Sequence, residues 1–569
     1  MESQWKSWAA RGIVTAVTAG SLVLAAGVTP AAATDSAAAG SPQALSSVLK
    51  SVIGQALAES SQKISAKSVN GVSVPLEISV APGKLESVKA ALLKAGLSDI
   101  DAMSEGPLPT IYGKISASSV QSLTSIPGIR RISPANWGSF TDVGTALSQG
   151  DSVVQGPSVR NGGGPNGAGV KIGVISDSIN KVGSGVAGSQ STGDLPASVS
   201  VLTDGPSGSS DEGRAMAEII FDEAPGVSSI AFSSASSQKK AQAIRQLVAS
   251  GVKVIADDIY DITAPVYQNG PEAIAVEDAV ASGVTYFSSA GNRGAQSAWE
   301  FAPSFVKNAS TGVEYQDFGS GVTKKKIATL AAGKGQYFDI QWKEAWGSAS
   351  SNLDVQLVDS SGKLLTQSND DNVSSGIPQE GLSYTNSSAT SSKDVYLQVT
   401  HKTGTSIPSA LRIRSNGNLV AGLGNVTTIN AGASSSGASL AVAASDWSAP
   451  TVPETYSSRG AVTHYFDDNG NTLAQPWVMP GPAVMAPDCV ATSVKGFSAF
   501  CGTSAAAPAA AGVAALALSA VPTATPSSIR AALASGNATV PAAAGYGVEI
   551  VGSGLIQADK LIAALQSAG

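Results

Sequence analysis

Residues 170–176 read VKIGVIS, a near-continuous apolar run rich in β-branched side chains. Such runs are typical of strands in parallel sheets, because helices cover both faces of the sheet and the polar alternation is lost. The pattern recurs in three further runs, at 229–235, 252–258 and 284–290. Segments with helical spacing lie between these runs, at 241–250 and 271–283. Strands that alternate with helices predict an α/β fold whose parallel sheet carries helices on both faces.

The pattern changes beyond this region. From about 311 to 417, short segments alternate with period two between Ser, Asn and Gly turns, which predicts an antiparallel β-sandwich. The α/β pattern then resumes, so we expect the sandwich to be inserted into one α/β domain formed by 151–310 and 418–569. The helices predicted in the second half lie at 504–521, 527–536 and 555–565.

The N-terminal part of the chain predicts export and a separate small domain. Lys6 and Arg11 precede an apolar run, and small residues follow it at 31–33, as in a secretory signal peptide covering 1–33. Strand and helix patterns between about 70 and 135 predict a small α+β domain within 34–150. We therefore expect a secreted, extracellular protein with no membrane span after signal removal.

The composition excludes one class of partner. The chain has 569 residues, of which 14% are charged, and its net charge is −7. A general nucleic-acid binder needs a basic face, so no nucleic-acid partner is expected. Export favours a disulfide between the two cysteines, Cys489 and Cys501, with two buried free thiols as the alternative.

Ser504 stands at the predicted N-terminus of a helix, in the setting CGTSAAAP (501–508). Unpaired N–H groups at a helix N-terminus stabilise negative charge, so an oxyanion is expected to bind there. A serine nucleophile also needs a neighbouring base, most often histidine. The chain has only His401 and His464, and neither has a catalytic setting; His464 is interpreted as a loop residue. Another residue must take the proton if Ser504 is a nucleophile.

Ligands of an open parallel sheet gather at the carboxyl ends of its strands. Three of the predicted strands end in polar residues there, namely Asp177, the pair Asp257 and Asp258, and Asn292. These side chains are therefore expected near Ser504, where they are candidates for catalysis or substrate binding.

Glu212 is the candidate base. It heads the apolar stripe of a predicted helix within 211–226, where an ionised carboxylate is costly without partners. The alternative is an ordinary acid at a helix start, which complements the helix dipole. The neighbouring charged residues of the segment are predicted on its solvent-facing side, namely Asp211, Arg214, Glu218 and Asp222.

Four stretches resemble the motifs of the subtilisin-like peptidases. GTSAAAPAAAG (502–512) resembles their serine motif, and SSAGN (288–292) resembles their oxyanion-hole segment. SSRG (457–460) is another of their recurrent stretches, and VKIGVISDS (170–178) resembles their first aspartate strand. The order of acid, base, oxyanion residue and serine along the chain matches the subtilisin order.

The resemblance, which covers about 170–310 and 418–569, implies roles for the candidate residues. Glu212 stands where subtilisins carry their histidine, which is similar to the sedolisins, relatives on the same fold that use Glu, Asp and Ser. Sedolisins place the aspartate one helical turn later, where this chain has Met216, and use an aspartate in place of Asn292. The resemblance thus implies a sedolisin-like base in a subtilisin-like frame, with Asn292 in the oxyanion hole.

The identity of the second acid stays open. The subtilisin aspartate aligns with Ser176, and a shift of one residue along a strand turns a side chain to the other face. Asp177 is the first candidate. Asp257 and Asp258 are the alternative candidates. The roles expected for them are to orient Glu212 or to bind a basic substrate side chain, and the alternative is that they cap a loop.

The resemblance also gives expectations for the flanking units. The unit at 70–135 resembles the α+β propeptide of subtilisins, an intramolecular chaperone and inhibitor that is removed on maturation. The sandwich resembles the small β-domains of secreted bacterial peptidases, which bind substrate or surface polymers or serve as scaffolds.

The leading hypothesis is a secreted serine endopeptidase that hydrolyses protein or peptide substrates with a Ser-Glu-Asp set and an acidic optimum, because carboxylates titrate below imidazole. The rival is a catalytically degenerate subtilisin-like fold retained as a surface or binding protein. A lipase or esterase is weaker, since no G-x-S-x-G elbow surrounds Ser504. No cofactor or metal site is predicted, and a structural calcium stays open.

Overall fold

The computed structural model describes residues 73–104, 108–134, 147–236 and 239–568. The predicted signal peptide lies outside the described residues. Within them the chain forms a mixed α/β structure built on a large, mainly parallel sheet, as the alternation of strands and helices predicts.

Nine strands of the described chain form the central sheet. The strand Lys171–Ile175, on which the fold prediction began, pairs in parallel with Ser229–Ser233 on one side and Val254–Asp257 on the other. The pairing is antiparallel only at one edge, between Thr539–Val540 and Leu555–Ile556. In spatial order the strands are Thr539–Val540, Leu555–Ile556, Val484–Asp488, Leu440–Asp446, Thr285–Ser289, Val254–Asp257, Lys171–Ile175, Ser229–Ser233 and Val199–Thr203.

Helices cover both faces of this sheet, and each face has its own apolar core. Lys240–Ala249 and Pro271–Ala281 cover one face. The other face carries Glu212–Glu223, Thr503–Ala520, Pro526–Ala534 and Ala558–Ala568. Shorter helical segments are Gly150–Val153, Gly156–Arg160, Asn161–Gly163, Gly185–Thr192, Ala433–Ser435 and Val548–Val551.

The helix Thr503–Ala520 is the buried centre of the second face, and every residue from 503 to 517 is buried. Alanine and glycine allow the neighbouring helix Glu212–Glu223 to approach closely, and a side chain at Gly512 would collide with Glu223. Among the described residues this one helix is long and apolar enough to cross a membrane, yet 83% of its apolar window lies inside the protein. Its composition therefore reflects burial in a protein core.

The segment 555–565, predicted as one helix, begins differently. Leu555–Ile556 forms a short strand, and the helix begins only at Ala558. The apolar pair joins the sheet because Leu555 lies opposite Met485 and Val540. Periodicity alone does not separate a two-residue strand from the helix that follows it.

Two antiparallel sheets are formed by the part of the chain between the strands Thr285–Ser289 and Leu440–Asp446, which pair directly with each other in the parallel sheet. These two sheets share one apolar core, which includes Phe338, Trp342 and Leu397. Their first strand begins at Ala298, before the predicted boundary at 311, because Ala298–Phe301 pairs with Leu411–Ser415. One sheet contains Ala298–Phe301, Leu411–Ser415, Gly335–Trp342 and Gln379–Thr385. The other contains Phe305–Lys307, Glu314–Gln316, Lys393–His401, Leu353–Val358, Leu364–Ser368 and Lys325–Leu330. A short helix, Asn372–Ser375, precedes the strand Gln379–Thr385 of the first sheet. A separate hairpin pairs Val462–Phe466 with Thr472–Met479.

The N-terminal described unit is a four-stranded antiparallel sheet with a helix. Its strands, in spatial order, are Ser98–Met103, Thr110–Ser116, Ser73–Val80 and Ile129–Pro134, with the helix Leu85–Lys94 and the 3₁₀ segment Ala117–Ser125. Glu77 forms an ion pair with Lys239, which immediately precedes the helix Lys240–Ala249, at 2.5 Å. Arg131 donates to Gln379 of the antiparallel sheets at 3.1 Å. The unit therefore contacts both other parts of the molecule.

Candidate active site

Ser504 lies in the first turn of the helix Thr503–Ala520 and is 6% exposed. Gly502 precedes this helix with a φ of 113°, a conformation that side chains other than glycine rarely adopt. Its N–H donates to Asp488 at 2.6 Å, and the Thr503 N–H donates to Asn292. Within the described part of the chain the Ser504 N–H has no such acceptor. It is therefore free to bind a developing negative charge.

Asn292 is fixed against the start of the same helix. Its Oδ1 accepts from both the N–H and the hydroxyl of Thr503, each at 2.9 Å. This leaves its Nδ2 beside Gly502, where an added Cβ would lie 2.9 Å away. The Thr503 hydroxyl also accepts from the Gly291 N–H at 3.0 Å. This role of Thr503 was not predicted from the sequence, although Thr503 directly precedes Ser504 in the GTSA motif.

Glu212 begins the helix Glu212–Glu223, and Asp258 directly follows the strand Val254–Asp257. Glu212 is completely buried and Asp258 is 5% exposed. No carboxylate oxygen of either residue has a hydrogen-bond partner of normal geometry in the described structure. Two ionised carboxylates are both acceptors, so a single shared proton would supply the missing donor.

The electrostatics of this pair show that the two side chains are neighbours. Burial raises the pKa of Glu212 well above its ordinary value, and the negative charges of Asp258 and Asp177 raise it further. The Ser504 hydroxyl, as a hydrogen-bond donor, lowers the pKa of Glu212. Burial likewise raises the pKa of Asp258, followed by the charge of Asp257. The Glu212 carboxyl therefore lies near the Ser504 hydroxyl and the Asp258 carboxyl, without a hydrogen bond of normal geometry to either.

Asp177 contacts the backbone of Glu212 instead of its carboxylate. Its Oδ1 accepts from the Glu212 N–H at 3.0 Å, and its Oδ2 accepts from the N–H and hydroxyl of Ser210 at 2.5 and 2.8 Å. Burial raises its pKa, and the bonds from Ser210 and Ser178 act in the opposite direction. The strand ends at Ile175, so the position of Asp177 is set by a loop. Asp177 therefore holds the start of the helix that carries Glu212.

Asp257 is directed away from these groups. It forms an ion pair with Lys240 at 3.2 Å and accepts from Tyr286 at 3.1 Å and Ser288 at 2.8 Å. Successive residues of a strand point to opposite faces, which separates Asp257 from Asp258. The structure thus brings together Ser504, Glu212, Asp258 and Asn292. Asp257 is instead buried beside Lys240, Tyr286 and Ser288.

The charged residues predicted on the solvent side of the Glu212 helix are in fact largely buried. Arg214 is 5% exposed and forms an ion pair with Asp211 at 3.1 Å. Glu218 is 1% exposed and accepts from Ser189 and from the N–H of Ser493. That prediction was wrong because the helix Gly185–Thr192 and the segment at Ser493 cover this face and satisfy the charges, which helical spacing alone does not show.

Neither histidine belongs to the site. His401 ends an antiparallel strand and interacts with Glu314 at 2.7 Å. His464, expected in a loop, lies in a hairpin strand against Trp477, and burial lowers its pKa to about 4. The loop assignment was therefore wrong, although its conclusion that His464 is not the base agrees with these surroundings.

The two cysteines form a disulfide that closes the segment directly before Gly502. Asp446 and Glu454 lie near it, and their oxygens and the Cys489 sulfur are within 4.8 Å of one another. Because Cys489 is oxidised, it offers no thiolate to a metal ion. With the disulfide intact, only the two carboxylates of this group remain as possible metal ligands.

Part of the chain matches the model of a known family. Residues 344–547, which include Ser504, match the model described as the subtilase family of S8 peptidases. No curated protein matches the chain. The solved CspB protease of Clostridium perfringens is similar at 14% identity and a TM-score of 0.47, over 74% of this chain and 98% of that one. Fervidolysin from Fervidobacterium pennivorans, a keratinolytic enzyme related to subtilisin, is similar at 14% identity and a TM-score of 0.39. The similarity covers 86% of this chain and 61% of the fervidolysin chain.

Glu223, at the other end of the Glu212 helix, gives a first testable prediction. It is fully buried, neither oxygen has a hydrogen-bond partner in the described structure, and burial raises its pKa well above the ordinary value. In the unfolded chain the Glu223 carboxyl ionises above about pH 4.3, whereas in the folded protein it keeps its proton to higher pH. The free energy of unfolding therefore falls as the pH rises above about 4.3. We expect Glu223→Gln to raise the free energy of unfolding by about 1 to 3 kcal/mol at neutral pH.

Urea unfolding of both proteins at several pH values measures this difference. The gain should shrink towards zero near pH 4, where the carboxyl is neutral in both states. A gain that is the same at all pH values would mean that packing, and not titration of Glu223, is responsible.

Proposed function

We propose that this protein is a secreted serine endopeptidase of the subtilisin-like type, in which Glu212 replaces the usual histidine. The family match at 344–547 supports a peptidase that acts on protein or peptide substrates. The observation on which the mechanism rests is the position of Glu212, a buried carboxyl whose pKa is raised by the charge of Asp258 and lowered by the Ser504 hydroxyl, although no hydrogen bond of normal geometry joins it to either. A buried carboxylate beside a serine hydroxyl is a base that needs no imidazole.

In the proposed reaction, the Ser504 oxygen attacks the peptide carbonyl while Glu212 accepts the hydroxyl proton. The carbonyl oxygen becomes an oxyanion, which accepts hydrogen bonds from the Ser504 N–H and from Nδ2 of Asn292. Glu212 then gives its proton to the departing amine, and an acyl-enzyme remains. Water attacks this ester while Glu212 accepts a proton from it, the bond between the acyl carbon and the Ser504 oxygen breaks, and Glu212 returns the proton to Ser504 as the second product leaves as a carboxylic acid.

The second acid of the set is assigned to Asp258. One proton held between Asp258 and Glu212 relieves the repulsion of two buried charges and leaves one carboxylate free to act as base. Asp177 then acts as a positioning residue through the Glu212 N–H. Because the pair needs to lose only the first of its two protons to supply a carboxylate base, and the first of two coupled ionisations occurs at lower pH than the second, we propose a pH optimum below neutrality.

The flanking units fit this proposal. We propose that the N-terminal sheet is a propeptide, since it contacts Lys239 beside the helix Lys240–Ala249 through Glu77. The two antiparallel sheets form an inserted β-sandwich, and the segment 1–33 directs export.

A second candidate is a degenerate fold that binds and does not cleave. It is favoured by one observation, which is that no hydrogen bond of normal geometry joins Ser504 to Glu212. In the free state of a peptidase such a bond is often long and becomes short only with substrate bound.

A fluorophosphonate probe, which reacts with activated serines, separates the two candidates. We expect the secreted protein to be labelled on Ser504 at acidic pH, and Ser504→Ala to lose all labelling. Absence of labelling between about pH 3 and pH 8 would favour the binding protein. Circular dichroism of the variant confirms that its fold is unchanged.

A further inference from the structure

Asp488 is a buried carboxyl beside the candidate active site that the proposed reaction does not use. It ends the parallel strand Val484–Asp488 and is completely buried. Its Oδ2 accepts from the Gly502 N–H at 2.6 Å and also from the Tyr456 hydroxyl. Its Oδ1 is buried and has no hydrogen-bond partner in the described structure. Both hydrogen bonds to this carboxyl therefore meet at one oxygen.

The first of these bonds acts on the start of the serine helix. Consecutive N–H groups stand there, at Gly502, Thr503 and Ser504. Asp488 accepts from the first at 2.6 Å, and Asn292 accepts from the second at 2.9 Å. Within the described residues the Ser504 N–H is left as the donor for an oxyanion. The bond to Asp488 therefore helps to set the direction of that N–H, because it fixes the peptide unit from which the next two follow.

The second bond leads to the loop that carries the other oxyanion donor. Tyr456 directly precedes the stretch SSRG, which resembles a recurrent stretch of the subtilisin-like peptidases. The C=O of Tyr456 accepts from the Gly294 N–H at 2.6 Å, and the Ser458 N–H donates to the Gly291 C=O at 2.8 Å. The stretch is thus bonded to the chain on both sides of the oxyanion asparagine. Tyr456 therefore connects the buried carboxyl to this loop.

A covalent link holds two of the same segments together. Cys489 directly follows Asp488, Cys501 directly precedes Gly502, and the two cysteines form the disulfide. The strand end and the helix start therefore stay close together when the carboxyl is replaced. A substitution of Asp488 changes the hydrogen bonds at the helix start and keeps this link.

A proton on Asp488 does not remove its function as an acceptor. Burial, together with the charges of Glu454 and Asp446, raises the pKa of Asp488 to about 7. The hydrogen bonds from its two donors act in the opposite direction. At about pH 5.5 the carboxyl is therefore mainly neutral, and its unprotonated oxygen still accepts both bonds. Burial raises the pKa of Tyr456, so its hydroxyl remains a donor. Asparagine, which is neutral and keeps an acceptor oxygen, is thus the closest substitute for Asp488.

We propose that Asp488 and Tyr456 are positioning residues that hold the two oxyanion donors in their relative places. These donors are the Ser504 N–H and Nδ2 of Asn292. The inference rests on the proposed peptidase function and adds two residues that do not touch the substrate. Their effect is on the step that forms the oxyanion, because the donors must lie where the negative charge develops.

Replacement of Asp488 by leucine, which has a similar shape and no acceptor, tests the proposal in the secreted, full protein. We expect kcat for a fluorogenic peptide to fall by about 10- to 30-fold at about pH 5.5, with KM changed by less than about twofold. A matched peptide aldehyde forms a tetrahedral oxyanion when the Ser504 oxygen adds to its carbonyl carbon and Glu212 takes the hydroxyl proton. Its inhibition constant should rise by the factor by which kcat falls. The inhibition constant of the corresponding peptide alcohol, which forms no oxyanion, should not change.

Two further variants and one control assign the effect to the hydrogen bonds. Asp488→Asn keeps an acceptor and should retain kcat within about threefold of the wild-type value. Tyr456→Phe keeps the ring and removes one donor, so kcat should fall by about 3- to 10-fold with KM unchanged. Asp467 also follows a strand and accepts a backbone N–H, from Asn471 at 2.8 Å, but belongs to the separate hairpin. Asp467→Leu should therefore leave kcat and KM unchanged.

The outcomes separate the two levels of the proposal. If Ser504 is labelled by fluorophosphonate but Asp488→Leu keeps the wild-type kcat, or weakens aldehyde and alcohol binding equally, the positioning role is wrong and the peptidase proposal stands. The role is also wrong if Asp488→Asn is as slow as Asp488→Leu. If circular dichroism shows that Asp488→Leu does not fold, Asp488→Asn and Tyr456→Phe decide by the same criteria. If Ser504 is not labelled and no peptide is cleaved, the peptidase proposal fails and the positioning role fails with it.

Discussion

Replacing Glu212 with glutamine is expected to lower kcat/KM for peptide hydrolysis by about 10⁴-fold. Glutamine keeps the size and the burial of the side chain but does not accept the Ser504 proton at any working pH. The loss should lie in kcat, because Glu212 acts on the hydroxyl and not on the bound peptide. Steady-state kinetics with a fluorogenic peptide, together with the rate of fluorophosphonate labelling, measure the effect.

The same helix offers a matched control. Glu223→Gln makes the identical chemical change at a second buried carboxyl, at the opposite end of the helix from Glu212. The Glu223 carboxyl has no hydrogen-bond partner in the described structure. Its activity should remain at the wild-type level while its stability at neutral pH rises. If Glu212→Gln retains full activity, or if both variants lose it equally, Glu212 is not the base.

The proposed nucleophile and the proposed base could be selected from the sequence because each is marked by local pattern. Ser504 is marked by its place before a long apolar helix, and Glu212 is marked as a charge at the head of an apolar stripe. The parallel strands were also predictable, since buried runs such as 170–176 carry their own signal. Local pattern is sufficient where burial itself selects the residues.

The proposed second acid could not be selected in this way. Asp257 and Asp258 are adjacent and chemically identical, and only the strand's orientation decides which of them faces Glu212. Asp177 looked equivalent, but a returning loop at Ser210 engages its oxygens. The burial of Arg214 was missed for the same reason, because the covering loops are distant in sequence. Contacts that depend on tertiary packing leave no periodic trace in the chain.

Replacing Asp258 with asparagine is expected to change the shape of the pH profile. In the wild-type protein the two buried carboxyls titrate as a pair, so kcat/KM should rise as the first proton leaves and fall as the second leaves. Burial and the charge of Asp258 both raise the pKa of Glu212. Without that charge only one ionisation remains, and it moves to lower pH by about 1 to 3 units relative to the upper step of the pair.

The bell-shaped profile should therefore become a single rising curve without the alkaline limb due to the pair. The maximal rate should fall by about 10- to 100-fold, because the shared proton that supports Glu212 is lost. Asp257→Asn is the matched control, since it neutralises the adjacent carboxyl on the opposite face, where Lys240 is its ion-pair partner. It should lower stability and keep the bell shape, because the Glu212–Asp258 pair is intact. A bell-shaped curve that persists in Asp258→Asn would show that the second proton belongs to another group, with Asp177 as the next candidate because its charge also raises the pKa of Glu212.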